Sequence, residues 1–350
     1  MTAPSLRQHL QASPAIYPIA LDSRADAVQV INLSATDYAA ASFLDNRLLT
    51  ASTKTGWARW AEFREAAEGL PERCHYIFHI SHVGSTLLSR LVGQHPKLFS
   101  LREPVILRFL AEVELALGQP NCPWNHEEFV DRLGVYLRVW SRTFEPQQTA
   151  VIKATSFVCE LAERLLERQP AARAVAMYVS PLVFLQALLG GAMSDITGQA
   201  AQRLKRLERR LGTAVGEREQ LSPGEQVAMS WLCEMLALQA AADRFAERVL
   251  WLDFDQFLAD PPAHLLASLA HFGAAADAEL VDRILSGPTM QRYAKAPTHE
   301  FDANTRRQLL AQAASEHAGE IEKGLRWLEA AASAIPVARR LLDHQGTQPH

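Results

Sequence analysis

The order of its segments predicts an α/β fold, a mainly parallel sheet flanked by helices, with helical insertions and a helical C-terminal tail. Short apolar, aromatic or β-branched runs at Tyr76 to Ile80, Leu98 to Leu101, Ala150 to Lys153, Arg173 to Val179 and Val249 to Phe254 read as buried strands. Between them lie stretches whose apolar residues recur at helical spacing. No internal repeat or low-complexity linker divides the chain, so the alternation describes one α/β domain. The expected boundaries are a lead-in over residues 1–70, partly helical and packed on the core, and a single α/β domain over residues 71–345 with a helical insertion around 192–220.

The lead-in is punctuated by Pro4, Pro14 and Pro18 and offers one short extended piece, Val28 to Leu33. Gly56 to Leu70 spaces Trp57, Trp60 and Phe63 by three, which predicts a helix laying an aromatic stripe on the core. Pro71 stops it. After the strand Tyr76 to Ile80 comes a short loop, then Ser85, Thr86, Leu87, Leu88, Leu91 and Val92 open a helix that must end at His95-Pro96. Glu127 to Phe144 reads as a helix with Phe129, Leu133, Tyr136, Leu137 and Trp140 on one face, and Val158 to Gln169 as another. Gly198 to Glu219, with its RLKRLERRL core, reads as an exposed helix or hairpin whose arginines form a solvated face. Ser222-Pro223-Gly224-Glu225 is a helix start: a capping serine, proline at the first position and a glutamate three residues after the cap. The strand Val249 to Phe254 runs into Asp260-Pro261-Pro262 and a helix closed by Gly273. Leu280 to Leu342 is helical in pattern around a loop from Arg292 to Asn304.

Three strand ends carry polar residues suited to chemistry. In an open α/β sheet, ligands gather beyond the carboxyl ends of the strands. The loop before Ser85 leaves backbone N–H groups unpaired at the positive end of a helix dipole, with the Ser85 and Thr86 hydroxyls beside them, which suits phosphate or sulfate. The other reading is a tight turn at Gly84 with Ser85 as helix cap. It is not a Walker A motif: the only loop glycine is Gly84, and no lysine precedes Ser85. Glu103, after the second strand, is either a site carboxylate or a loop acid capping the helix from Val105. Lys153, at the end of the third strand, stands where the other two candidates stand.

Composition narrows the class. The 350 residues carry a net charge of -4 and are 48% hydrophobic, which argues against broad binding to nucleic acid or anionic membranes. Met1 to Leu21 lacks the pattern of a signal peptide, and the longest apolar stretch, Ala174 to Met193, is interrupted by Pro181 and Gly190-Gly191, so a cytoplasmic, soluble protein is expected. Cys74, Cys122, Cys159 and Cys233 form no CxxC pair and are expected to be reduced thiols.

Taken together, these features resemble the sulfotransferases, P-loop-like α/β enzymes that move a sulfuryl group from 3'-phosphoadenosine 5'-phosphosulfate (PAPS) to a hydroxyl or amine. SHVGSTLL is similar to their 5'-phosphosulfate loop. Leu101 to Pro104, LREP, is similar to the Glu-Pro after the second strand of many bacterial members, and Lys153 matches the strand-end lysine of the tyrosylprotein-like branch. LDFDQFLADPPAHLLASLAHFG is similar to the late strand-turn-helix signature, and Tyr293-Ala294-Lys295 with Trp327-Leu328-Glu329 to the bacterial tail. The resemblance implies that Val83, Gly84, Ser85 and Thr86 cradle the phosphosulfate, with Ser180 and Lys295 as further donor-binding positions. It implies that Lys153 and His82 stabilise charge on the leaving phosphate and that Glu103 acts as general base, with no metal. The chain departs from the pattern at His82 and Val83. Val179-Ser180-Pro181 replaces the triplet whose arginine holds the 3'-phosphate, and Ala187 falls where a serine is expected. The acceptor is a small molecule, glycan or peptide, with neither nucleic acid nor membrane as partner. Two other readings stay open: a nucleotide-dependent, kinase-like transferase, and a degenerate member that binds a ligand without catalysis.

Overall fold

A computed structural model describes residues 5–191, 193, 198–212, 218–292 and 302–346. Its centre is a five-stranded sheet of β4 (Cys74–His79), β5 (Leu98–Arg102), β6 (Thr149–Lys153), β7 (Ala174–Tyr178) and β8 (Val249–Asp253) in the order β5-β6-β4-β7-β8. Every pairing is parallel. Parallel strands need crossover connections, and the helices between them cover both faces, which explains why β4, β5 and β6 are buried almost throughout. After β4 the chain passes to one side of the sheet, and after β6 it crosses to the other. The carboxyl end of β4 is therefore a topological switch point.

One face holds the helix Ser85–Val92, with Pro261–His271 packed beside it. The other is built around Pro223–Arg244, which starts with the expected reciprocal cap between Ser222 and Glu225. That helix crosses Ala318–Ala334 so closely that a Cβ on Gly224 would lie 1.9 Å from the Glu320 carbonyl oxygen. Only glycine fits there.

The lead-in differs from its expected form. Besides short helices it contains an antiparallel sheet, β1 (Ile16–Asp22), β2 (Ala27–Asn32) and β3 (Thr55–Arg59). The turn after β1 is held by the Asp22 carboxylate, which accepts the N–H groups of Arg24 and Ala25, and by Asp26 at φ 49°. The helix expected over Gly56 to Leu70 is correspondingly shorter, Trp60–Ala66. Trp60 and Phe63 are buried as expected, but Trp57 lies on β3 and is 57% exposed. A period of three over so short a window fits a strand followed by a helix as well as one helix.

The lead-in is tied to the α/β core by two buried arginines, one at the end of β5 and one just after the helix His126–Trp140. Arg102 donates to the Tyr38, Ala39 and Ala41 carbonyls, and Arg142 to those of Leu10, Ser13 and Ile16. Burial lowers their pKa values to about 9 and about 10.

The expectation of a solvated arginine face after Gly198 is overturned. On the helix Ala200–Leu211, Arg203 and Arg206 are each 1% exposed. Both guanidinium groups reach Glu234, which stands inside the apolar helix Pro223–Arg244: Arg203 at 2.9 Å and Arg206 at 3.0 and 2.7 Å. Arg206 also bonds Glu160, which receives Arg209 and Arg210. Burial opposes the Glu160 charge, yet these arginines hold its pKa below the ordinary value. The outer rim opens on a cleft of about 410 Å³ walled by four glutamates and four arginines, so it has no net charge with which to draw an ion.

All four cysteines are free thiols. Among the described residues no helix is long and apolar enough to cross a membrane.

Candidate active site

At the carboxyl end of β4 the chain turns through Ser81 at φ 88°, His82 at φ 52° and Gly84 at φ 67° before entering the helix at Ser85. Left-handed residues interspersed with right-handed ones curl a backbone so that successive N–H groups converge, an arrangement suited to anions. The helix has Gly84 as N-cap and no side-chain cap bond, so the Ser85 hydroxyl is not used as a cap. Ser85 and Thr86 are buried, and the Thr86 hydroxyl has no hydrogen-bond partner. An unpaired buried hydroxyl is costly, and one facing a curled backbone at a helix N-terminus has the chemistry to meet an anion. Val83 is buried as packing, while His82 is half-buried in the turn. Gly84 has a second constraint: a Cβ there would lie 2.0 Å from the ring of Phe254.

Glu103 and Lys153, nominated from separate strand ends, meet. Strands β5 and β6 pair Arg102 with Lys153, and the Glu103 N–H donates 2.7 Å to the Lys153 carbonyl, which fixes Glu103 at φ 52°. The Lys153 ammonium donates to Glu103 Oε1. Lys153 is fully buried, whereas the Glu103 side chain is 16% exposed. The helix from Val105 has Pro104 as N-cap and no side-chain cap bond, so Glu103 is not a helix cap.

The structure adds residues not nominated from the sequence. His79, the last residue of β4, places Nε2 3.9 Å from Glu103 Oε1. From the lead-in, the Phe43 ring lies 5.6 Å from the Lys153 ammonium and carries Arg47 3.6 Å above it. The Arg47 pKa is raised, first by its hydrogen bond with Asp45 and in part by Glu103. Arg306 lies 5.2 Å over the Phe254 ring and pairs with Asp255. His79 had a sequence signal, as the one strongly polar side chain in an apolar strand. Phe43, Arg47 and Arg306 had none, because their proximity depends on long-range packing.

Ser180 caps the helix Pro181–Leu189, its hydroxyl accepting the Val183 N–H at 3.3 Å. Val179 before it is fully buried, and its carbonyl accepts the Trp231 indole N–H. Lys295 lies outside the described residues, as do Tyr293, Ala294 and His299.

No family model and no curated protein matches the chain. Solved structures similar to it include the sulfotransferase domain from the curacin biosynthetic pathway, 14% identical, covering 71% of this chain and 98% of that one at a TM-score of 0.41. A sulfotransferase from Alicyclobacillus acidocaldarius is 17% identical over 72% of this chain and 94% of its own, with a TM-score of 0.38. A mouse sulfotransferase complexed with PAP is 10% identical over 80% and 93%, with a TM-score of 0.40. At such scores and identities these likenesses carry no weight for the activity of this chain.

Proposed function

We propose that this chain transfers a sulfuryl group from PAPS to a hydroxyl or amine acceptor by in-line displacement. The observation that carries the reading is the Lys153–Glu103 pair at the sheet's carboxyl edge, a fully buried ammonium against a partly exposed carboxylate. PAPS, when bound, supplies a sulfuryl group activated by a phosphate leaving group.

In this reading the curled backbone from Val83 to Thr86 and the two hydroxyls hold the 5'-phosphosulfate, with Thr86 Oγ1 gaining the partner it lacks. Lys153 neutralises charge developing on the leaving phosphate, assisted by His82 when protonated. Glu103 takes the acceptor proton as the acceptor oxygen or nitrogen bonds to sulfur and the bond from sulfur to the phosphate oxygen breaks. Positioning and electrostatics do most of the work, as in phosphoryl transfer.

A second reading has its own observation. Val179 is fully buried and apolar, and Ala187 offers no hydroxyl, where the resembled family holds the 3'-phosphate. A degenerate, non-catalytic member would look like this.

Calorimetric titration with 3',5'-adenosine bisphosphate separates the two. Micromolar binding that weakens in Ser85→Ala supports the transferase. Absence of binding to this ligand and to ATP overturns it and leaves the non-catalytic reading.

A further inference from the structure

We infer that His79 is a positioning residue joining the anion loop to the base Glu103, one ring nitrogen serving each; the catalytic part of this inference rests on the transferase reading. The Ser81 N–H donates to His79 Nδ1 at 3.1 Å, at the first left-handed residue of the loop. A nitrogen that accepts carries no proton, so the neutral ring bears its proton on Nε2. Nε2 lies 3.9 Å from Glu103 Oε1, the oxygen that Lys153 also engages.

The ring is held from several sides. His79 is 5% exposed, its backbone pairs with Met177 of β7, and its carbonyl accepts the Cys159 thiol. Lys153 is in register with Ile77, two residues earlier on β4, so strand alternation puts Lys153 and His79 on the same face. The charged groups shown near this corner are Glu103 and Lys153, with Arg47 across Phe43.

The arrangement has a use during turnover. When Lys153 turns toward the donor's phosphate, Glu103 loses its closest cation. His79 Nε2–H then closes on Oε1 and keeps the carboxylate aimed, leaving Oε2 to receive the acceptor proton. Because Nδ1 simultaneously holds Ser81, the loop geometry that binds the donor is coupled to the aim of the base.

Two amides separate the two nitrogens. Asparagine places its carbonyl oxygen near Nδ1 and retains the bond to Ser81; glutamine places its NH2 near Nε2 and retains the donor toward Glu103. His79→Asn is expected to keep the affinity for 3',5'-adenosine bisphosphate within about twofold while turnover falls about tenfold or more. His79→Gln is expected to reverse this, weakening affinity while keeping most of the turnover of ligand-saturated enzyme. Equal losses of affinity and turnover in both variants, or wild-type behaviour in both, would overturn the inference.

A measurement that needs no ligand distinguishes its failure from that of the transferase reading. The Ser81 amide should keep its slow hydrogen exchange in His79→Asn and lose it in His79→Gln. A double-mutant cycle on unfolding, run in the Lys153→Met background where Glu103 has lost its closest cation, should show coupling between His79→Asn and Glu103→Gln and none between His79→Gln and Glu103→Gln. If the wild type binds no nucleotide but both results hold, the transferase reading falls and the linkage stands; no coupling in the cycle removes the linkage whatever the wild type binds.

Discussion

Two of the places where the molecule buries charge treat it in opposite ways. Around Glu234 the carboxylate oxygens are shared between Arg203 and Arg206, and Glu160 gathers Arg206, Arg209 and Arg210. Around Glu103 a single ammonium meets a carboxylate that keeps 16% of its side chain exposed and stands beside a loop with an unpaired hydroxyl. A network that satisfies its carboxylates from all sides fixes helices to one another. A pair open on one side holds reactive groups in place without saturating them.

Breaking the network of shared carboxylates should have the largest effect. Glu234→Leu takes the shared carboxylate from two buried guanidinium groups, leaving Arg206 with Glu160 and Arg203 with the Ser156 hydroxyl, and should lower unfolding free energy by about 3–5 kcal/mol, read from urea denaturation. Breaking the open pair should cost activity instead. Lys153→Met should reduce the proposed sulfuryl transfer by about 100- to 1,000-fold while unfolding free energy falls by less than about 2 kcal/mol, since the Glu103 carboxylate keeps access to water. A fully active variant would remove Lys153 from the chemistry.

A third buried group provides the acid control. His75 stacks on Phe272 and accepts the Arg173 N–H; burial first, then the charges of Arg173, His271 and Arg73, lowers its pKa to about 4. Its folded value lies below its unfolded value of 6.5, so the unfolded chain binds the proton more readily between those values and stability is lost as pH is lowered through that window. The drop from pH 7 to pH 5 should be about 2 kcal/mol from this residue, and His75→Asn should flatten the curve. If the variant keeps the full slope, the acid sensitivity belongs to the charge clusters instead. The smallest change is expected from Arg203→Met, Arg206→Met and Glu234→Leu combined, within about 1–2 kcal/mol of wild type. A large loss there would mean that the network around Glu234 contributes more than its replaceable volume.

The legible part of the fold was local. The five sheet strands lie within one or two residues of their expected bounds, because continuous apolar runs between helical stretches leave little alternative. Glu103 and Lys153 were legible for the same reason: each follows directly from where a strand ends. The buried arginines were not, since RLKRLERRL has the composition of a wetted helix, and the partner that reverses that reading is 31 residues from Arg203. A sign was present in Glu234, a lone carboxylate among the apolar residues of VAMSWLCEMLALQAAA. Of the lead-in sheet only β2 was legible, as the extended piece Val28 to Leu33; β3 is mostly exposed and lies beyond a helix, Ala35–Ala40, so nothing local pairs the two. The approach of Phe43 and Arg47 to Lys153 depends on how that sheet docks.

Arg102 and Arg142 set a condition on the chain as a product of synthesis. Apart from the Val139 carbonyl, which accepts the Arg142 Nε–H, the carbonyl partners named for them lie in the first 41 residues and emerge before the β4 loop and Lys153 exist. A polypeptide begun at residue 71 would retain every strand of the parallel sheet, yet Arg102 would lose the three carbonyls it bonds in the lead-in and Arg142 would keep only the Val139 carbonyl of the four it bonds. Such a fragment is expected to aggregate rather than fold, which would prevent gene fusion or recombination from moving the α/β unit on its own.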